Sequence, residues 1–330
     1  MAKKYAIGMD IGGTKIEIGL VDRYGTIHQK KRISTHASRQ QEVIEQEIIQ
    51  TIQEFHNLGK SFICGIGIGV PGQVSAKDGS IVFAPNLNWH NISLKKKIEE
   101  VTSLPVTITN DGRAATWGEW LNGAGKGSNN IVCVFVGTGI GGGIVNEGKV
   151  MPGYTNCAGE LGHMIIQMNG PPCTCGSHGC FEAMASGWAI AKKAKELVYK
   201  NPSQGKALLD LTAGDISTIS AKLVIQAYKE GNILAGKILN EVMEALTIGC
   251  SNMINVFNPE RLILGGGIIQ GLPEAVDYIK KRVKNYSLKA ATSTLEILPA
   301  TFTEDAGTIG AGALAWHQHL NSSKNKETWI

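Results

Sequence analysis

One pattern occurs twice in this chain: an apolar strand, a glycine-rich turn and a second apolar strand. It reads GMDIGGTKIEIGLVD from Gly8 to Asp22 and FVGTGIGGGIVNEGK from Phe135 to Lys149. In the first copy Ile7, Met9 and Ile11, then Ile16, Ile18 and Leu20, alternate with the period of two that puts side chains on one face of a strand. Further helices and strands follow each copy, so the pattern restarts. The repetition predicts two related α/β domains facing each other across a cleft. A length of 330 residues suits two cores. The boundary is expected near residue 115, giving a smaller domain at 1–115 and a larger one at 116–330. The closing helix, AGTIGAGALAWHQHL, is free to pack back on the first.

Between the repeats the sequence predicts a third strand in TIHQKKRI and an amphipathic helix over 40–58, with Val43, Ile48, Ile49, Ile52 and Phe55 at helical spacing. ICGIGIGVPG reads as a buried strand ending in a Pro-Gly turn, ISLKKKIEEVTS as a helix, VTITN as a strand and GRAATWGEWL as a helix. After the second repeat, helices are expected from Ser186 to Asn201 and from Ser220 to Asn258. RLILGGGI then reads as a strand, LPEAVDYIKKRVKNY as a helix and LEILPA as a strand. The polar tail NSSKNKETWI is expected to fray.

Composition removes several function classes. With 43% hydrophobic and 18% charged residues the chain has ordinary globular make-up. Net charge is +4, but no run of five like charges occurs, so a nucleic-acid partner is not expected. No stretch has signal-peptide or membrane-span character, so no membrane partner is expected either. Cys64, Cys133, Cys157 and Cys250 are scattered and look like small apolar residues in a reducing compartment. The expectation is a cytoplasmic protein.

The glycine turns are the strongest local signals. Without Cβ atoms, backbone N–H groups can approach an anion closely. DIGGTK, with Asp10, Gly12, Gly13, Thr14 and Lys15, and GTGIGGG, with Thr138, Gly139 and Gly141, suit two halves gripping one polyphosphate, with Asp10 holding Mg²⁺ through water. Either turn alone also reads as a tight hairpin. Neither is a dinucleotide fingerprint or a Walker A loop, because no helix or Gly-Lys-Ser/Thr triple follows. A third glycine run, at Gly265 and Gly266, is expected to approach an adenosine. Asn110-Asp111 ends a strand and opens a helix. It reads both as a helix N-cap and as a carboxylate at the sheet edge that takes a proton from an attacking hydroxyl.

HMIIQMNGPPCTCGSHGC, from His163 to Cys180, holds three cysteines and two histidines. Cys173, Cys175 and Cys180 with His163 make a closed Cys₃His set, the pattern of a structural Zn²⁺. His178 is a rival fourth ligand.

These residues resemble the signature of the ROK family (repressors, open reading frames, kinases) of sugar kinases and sugar-responsive repressors. CAGELGHMIIQMNGPPCTCGSHGCFEAMASG carries the likeness, and DIGGTK, GVPGQV, APNLNW, ND, GTGIGGG and NPERLILGGG match family landmarks in order, from Ile7 to about Ala315. The resemblance implies an actin-like, ribonuclease-H-like ATPase fold with sugar and ATP in the interdomain cleft, closest to the glucokinase branch. It implies Asp111 as catalytic base. It places Asn110, Glu160, His163 and Glu182 on the sugar, with Asn88 and the Pro71-Gly72 turn beside them. The implied reaction is ATP-dependent phosphorylation of a hexose 6-hydroxyl, most naturally that of glucose. Kinases for N-acetylmannosamine or N-acetylglucosamine are the alternative, and polyphosphate is an alternative donor. A repressor is disfavoured because the phosphate loop begins at residue 10. A homo-oligomer, dimer or tetramer, is expected. One departure stands out. The family's helix after the Asp often begins with a small residue and an Asn, whereas here it begins Gly112-Arg113. Arg113 would lower the pKa of Asp111 if it pointed inward, and it is expected to point outward. Trp89 and Trp117 are read as core residues rather than a sugar-stacking face.

Overall fold

A computed structural model describes residues 3–35, 40–59 and 62–322. The last eight residues of the polar tail lie outside them. In chain order the first elements are β1 (Tyr5–Ile11), β2 (Lys15–Asp22), β3 (Ile27–Ser34), α1 (Gln41–Gly59), β4 (Ile63–Val70), β5 (Gln73–Val74), β6 (Ile81–Ala84), β7 (Trp89–Ile92), α2 (Leu94–Thr102), β8 (Val106–Asn110) and α3 (Asp111–Asn122). Then come β9 (Ile131–Val136), β10 (Ile140–Asn146), β11 (Lys149–Val150), α4 (Phe181–Ala185), α5 (Gly187–Lys200), α6 (Lys206–Asp210), α7 (Ala221–Lys229) and α8 (Ile233–Phe257). The chain closes with β12 (Arg261–Gly265), α9 (Gly267–Gly271), α10 (Glu274–Arg282), α11 (Lys289–Thr292), β13 (Glu296–Pro299) and α12 (Ala306–Ser322).

Two compact units divide the chain. The first gathers Met1–Asn129, Gly143–Gly159 and Glu304–Ile330, and the second Asn130–Gly142 and Glu160–Thr303. The boundary expected at residue 115 falls inside α3. The physical reason is the pairing of α3 with α12, which keeps both helices in the first unit. A Cβ on Gly310 would lie 1.7 Å from the Ala114 carbonyl oxygen, so the two backbones meet without a side chain between them. The same helix lies directly on the sheet, where a Cβ on Gly67 would fall 1.8 Å from the Ala311 carbonyl.

The first unit holds a sheet of order β3-β2-β1-β4-β8, with β1 antiparallel to β2 and parallel to β4, and β4 parallel to β8. Apolar residues of β1, β2 and β4 pack against Ile44, Ile48, Ile52 and Phe55 of α1, at i, i+4, i+8 and i+11. Val43, expected on that face, is 44% exposed, one position off the buried stripe. A small antiparallel sheet, β5-β6-β7, was not expected from the sequence and buries Trp89. Trp117 is buried as well, in keeping with the core reading of both.

The second sheet has the order β11-β10-β9-β12-β13, with β9, β12 and β13 parallel. The chain leaves the second unit and re-enters the first within β10. The long helix expected from Ser220 to Asn258 is two helices. Gly231 takes φ 83° and the Asn232 side chain accepts the Ala235 N–H at 2.9 Å, so one helix ends and another is capped there. Cys64, Cys133 and Cys250 are buried, whereas Cys157 is only half-buried. Among the described residues no helix is long and apolar enough to cross a membrane.

Candidate active site

Three parallel strands bring the acids of the first unit together. Asp10 pairs with Gly69 across β1 and β4, and Val70 pairs with Asn110 across β4 and β8. Asn110 then caps α3, its side chain accepting the Arg113 N–H at 3.2 Å, and Asp111 opens the helix with its Oδ1 accepting the Gly112 N–H at 2.8 Å. The N-cap reading of this dipeptide holds through Asn110, and Asp111 stands at the sheet edge.

Both acids are held above the ordinary carboxylate range. Burial pushes the Asp10 carboxyl up to about 7, and repulsion from Asp111 and then Glu17 adds to it while Lys15 opposes. Asp111 is raised too, by burial, against hydrogen bonds from the Gly112 and Asp111 backbone and Asn110. A Cβ on Gly307 would fall 2.4 Å from the Asp10 carboxyl carbon, so the first turn of α12 leaves room only for that carboxyl. A divalent cation at Asp10 would offset the charge that burial disfavours there.

The Gly12-Gly13 turn joins β1 to β2, closed by the Gly12 N–H to the Lys15 carbonyl at 2.9 Å, and the Thr14 carbonyl accepts the Thr35 N–H at 3.1 Å. Lys15 reaches Glu17 at 3.3 Å. Burial works to raise Glu17, but hydrogen bonds from Arg32 and the charges of Lys15 and Lys30 outweigh it and hold the carboxyl below its ordinary range. Gly72 lies in the turn from β4 to β5, and Asn88, exposed at φ 53°, ends the short turn Pro85–Leu87.

In the second unit the glycine run divides by role. Gly137 and Thr138 line a cavity of about 1100 Å³ together with Trp188, Lys195, Gln226 and Ile268. That volume accommodates a nucleotide-sized ligand. Gly139 closes the turn, and Gly141 lies in strand β10 rather than in a loop. The run from Gly139 to Gly143 thus passes from the turn into the strand. Gly142 has a packing reason to lack a side chain, since a Cβ would fall 2.2 Å from the Cys133 carbonyl. Gly265 and Gly266 likewise pack on β9, Gly266 at φ 90° against Val136, while Gly267 and Ile268 line the cavity.

Glu182 sits in the first turn of α4. Its Oε2 accepts the Ile140 N–H at 2.8 Å and its Oε1 accepts the Trp188 Nε1–H at 3.2 Å. The Gly187 and Trp188 N–H groups reach the Gly137 and Thr138 carbonyls at 2.9 and 3.1 Å. Gly139 must be glycine partly for this reason, because a Cβ there would meet Glu182 Oε2 at 2.5 Å. The segment after Cys180 is thus bonded to the glycine turn. Sequence reasoning missed this link and the α5 and α7 side of the cavity, because neither helix carries a motif.

The donor atoms of His163, Cys173, Cys175 and Cys180 all lie within 4.8 Å of one another. Cys175 and Cys180 sulfurs are 3.7 Å apart, and Cys173 Sγ is 3.8 Å from His163 Nδ1. Sulfurs on a tetrahedral zinc, each about 2.3 Å from the metal, sit roughly 3.8 Å apart, so the spacing fits that ion. Burial and the neighbouring thiols push Cys180 up to about 12, as expected where a shared cation is needed to ionise them all. His178 stays outside the cluster and pairs in a β-bridge with Pro172. Glu160 is exposed and directly precedes the turn Leu161–His163, whose His163 N–H reaches its carbonyl at 3.1 Å.

The ROK family model matches residues 6–318. The chain belongs to the ROK family. It is 34% identical to a glucokinase of Halalkalibacterium halodurans over 332 residues, 99% of this chain and all of the relative. It is 32% identical to the xylose repressor of Bacillus subtilis, covering 96% of this chain and 78% of that one. Among solved structures, a ROK family glucokinase from Streptomyces griseus in complex with glucose and AMPPNP superposes with a TM-score of 0.79 at 32% identity, covering 95% of this chain and 99% of the other. The ROK fold is the actin-like, ribonuclease-H-like ATPase fold, as the resemblance implied, and its α/β character agrees with the repeat.

Proposed function

We propose that this ROK protein is an ATP-dependent sugar kinase that phosphorylates the 6-hydroxyl of a hexose, glucose foremost. The observation that carries the reading is Asp111, a desolvated carboxyl of raised pKa that opens α3 directly after β8, in a chain alike over its full length to a glucokinase. The Asp111 carboxylate accepts the hydroxyl proton while the sugar oxygen bonds to the γ-phosphorus and ADP departs. Asn110, Asn88, the Gly72 turn, Glu160 and His163 bind the sugar hydroxyls. Glu182 joins them with the lone pairs that the glycine turn leaves it. Gly137 and Thr138 hold the nucleotide phosphates, the adenosine lies toward Ile268, and the Gly12–Lys15 turn is a second phosphate-binding turn.

Asp10 fits Mg²⁺, which would offset negative charge on the phosphates. His163, Cys173, Cys175 and Cys180 fit a structural Zn²⁺ with no open position. With Nδ1 of His163 facing Cys173, Nε2 is the nitrogen left for a sugar hydroxyl. The repressor relative supports a second reading, a sugar-responsive regulator. A coupled assay over a panel of hexoses and N-acetylated hexosamines, with ATP and polyphosphate as donors, tests both. ATP-dependent turnover of glucose is the expected result, and sugar binding without turnover by any donor would favour the regulator.

A further inference from the structure

Arg113 is neither outward nor turned on Asp111. Its side chain is 2% exposed. Nη1 donates to the Pro152 carbonyl at 3.2 Å and to Asn156 Oδ1 at 2.9 Å, and Nη2 donates to the Asn156 carbonyl at 2.7 Å. Asn156 passes the connection on, its Nδ2 donating to the Val74 carbonyl at 3.0 Å. The Pro152 carbonyl also takes the Ala158 N–H at 3.0 Å, so the guanidinium caps a loop already closed on itself.

Three segments of the first unit meet in this set of bonds, and each leads to a residue assigned to the sugar. The first turn of α3 holds Asn110 and Asp111. Val74 follows the Gly72 turn by two residues. Asn156 precedes Glu160 by four. A guanidinium is suited to the task, because its planar fork offers several donors in fixed directions and stays charged at any working pH. Asn156 is suited as well, since φ 64° is a left-handed conformation that Asn tolerates better than most residues.

We propose that Arg113 and Asn156 form a positioning clamp that sets sugar affinity by fixing the loop from Met151 to Gly159 against the first turn of α3 and the strand after Gly72. The proposal rests on the sugar-kinase reading. Arg113 does not touch the reacting atoms in this account. It acts through the loop, so its removal moves sugar binding and leaves the nucleotide side alone.

The test uses Asn156→Gly in the full-length protein. Glycine keeps the left-handed backbone without strain and keeps the carbonyl that Arg113 Nη2 holds, but loses the side-chain bonds to Arg113 and Val74. KM for glucose is expected to rise about tenfold, in line with the sensitivity of binding geometry to displacements of an ångström or less. KM for ATP should stay within about twofold, the split that marks lost binding of one substrate only. Amide hydrogen exchange across 151–159 should quicken while β1 and β4 stay protected. Arg113→Lys, which keeps the charge but not the fork, should give the same split. Faster loop exchange with an unchanged glucose KM overturns the proposal. So does an equal rise in both KM values with a general loss of protection, which would mark a merely structural pair. A wild type that phosphorylates no sugar overturns the kinase reading itself, and that result is visible before any variant is made.

Discussion

At the scale of single residues, the proposed chemistry rests on two carboxyls with different tasks. Asp111→Asn should keep sugar binding and lower kcat by roughly 10² or more, the usual size of a lost general base. Calorimetry reads the first effect and steady-state kinetics with glucose the second, and a near-native kcat removes Asp111 from the mechanism. Asp10 makes a prediction about stability. Its ordinary pKa is 3.8 and the folded value is about 7. Between those values the folded state holds a proton that the unfolded chain has released, so the ligand-free protein loses stability as pH rises from about 4 to 7. Asp111, raised for the same reason, adds in the same direction. Asp10→Asn should flatten that slope and raise Tm at pH 8 in the absence of Mg²⁺. Thermal melts from pH 5 to 8 check this, and an identical slope in wild type and variant would falsify the assignment.

Individual elements show why the cysteine loop matters beyond the metal it is suited to hold. Cys180 is the N-cap residue of α4, Glu182 lies in that helix's first turn, and its carboxylate grips the glycine turn at Ile140. Trp188, which packs on Cys173, Cys180 and Ala183, also lines the nucleotide-sized cavity. Cys175→Ser should therefore abolish stoichiometric zinc and weaken both substrates: the sugar through Glu160 and His163, and ATP through Glu182. Elemental analysis and two separate KM determinations read this, and a zinc-free protein with native affinity for both would reduce the cysteines to packing. Glu182→Ala separates the part of this carboxylate from that of the metal. Nucleotide affinity should fall about tenfold, roughly the worth of one charge-assisted hydrogen bond to a backbone donor, while zinc content holds. Elsewhere an element depends on absent side chains. Gly310→Ala would drive a methyl into the Ala114 carbonyl, an overpacking cost of about 3 kcal/mol that chemical denaturation should register.

For the whole molecule, the ordering of the chain is the governing fact. The first unit is built from three stretches, the last of which supplies α12. A chain ending at Thr303 should lose hydrogen-exchange protection over β1, β2 and β4, because their glycines are shaped to receive that helix. Persistence of that protection would show α12 to be an accessory. What the sequence determined by itself was local. Period-two alternation located β1 and β2, apolar spacing located α1, and the Cys₃His set was legible because metal ligands are few in kind and their spacing is short-range. Family motifs carried the acids Asp10 and Asp111. Only the tertiary structure decided the rest, since it depends on contacts between residues far apart in the chain. It moved the boundary off residue 115, because α3 needs α12. It split the glycine run into a turn at Gly137–Gly139 and a strand beyond, because Gly142 must clear Cys133. It turned Glu182 toward Ile140 and buried Arg113 against Asn156. No periodicity records a hydrogen bond across forty residues, so such links appear only when the chain has folded.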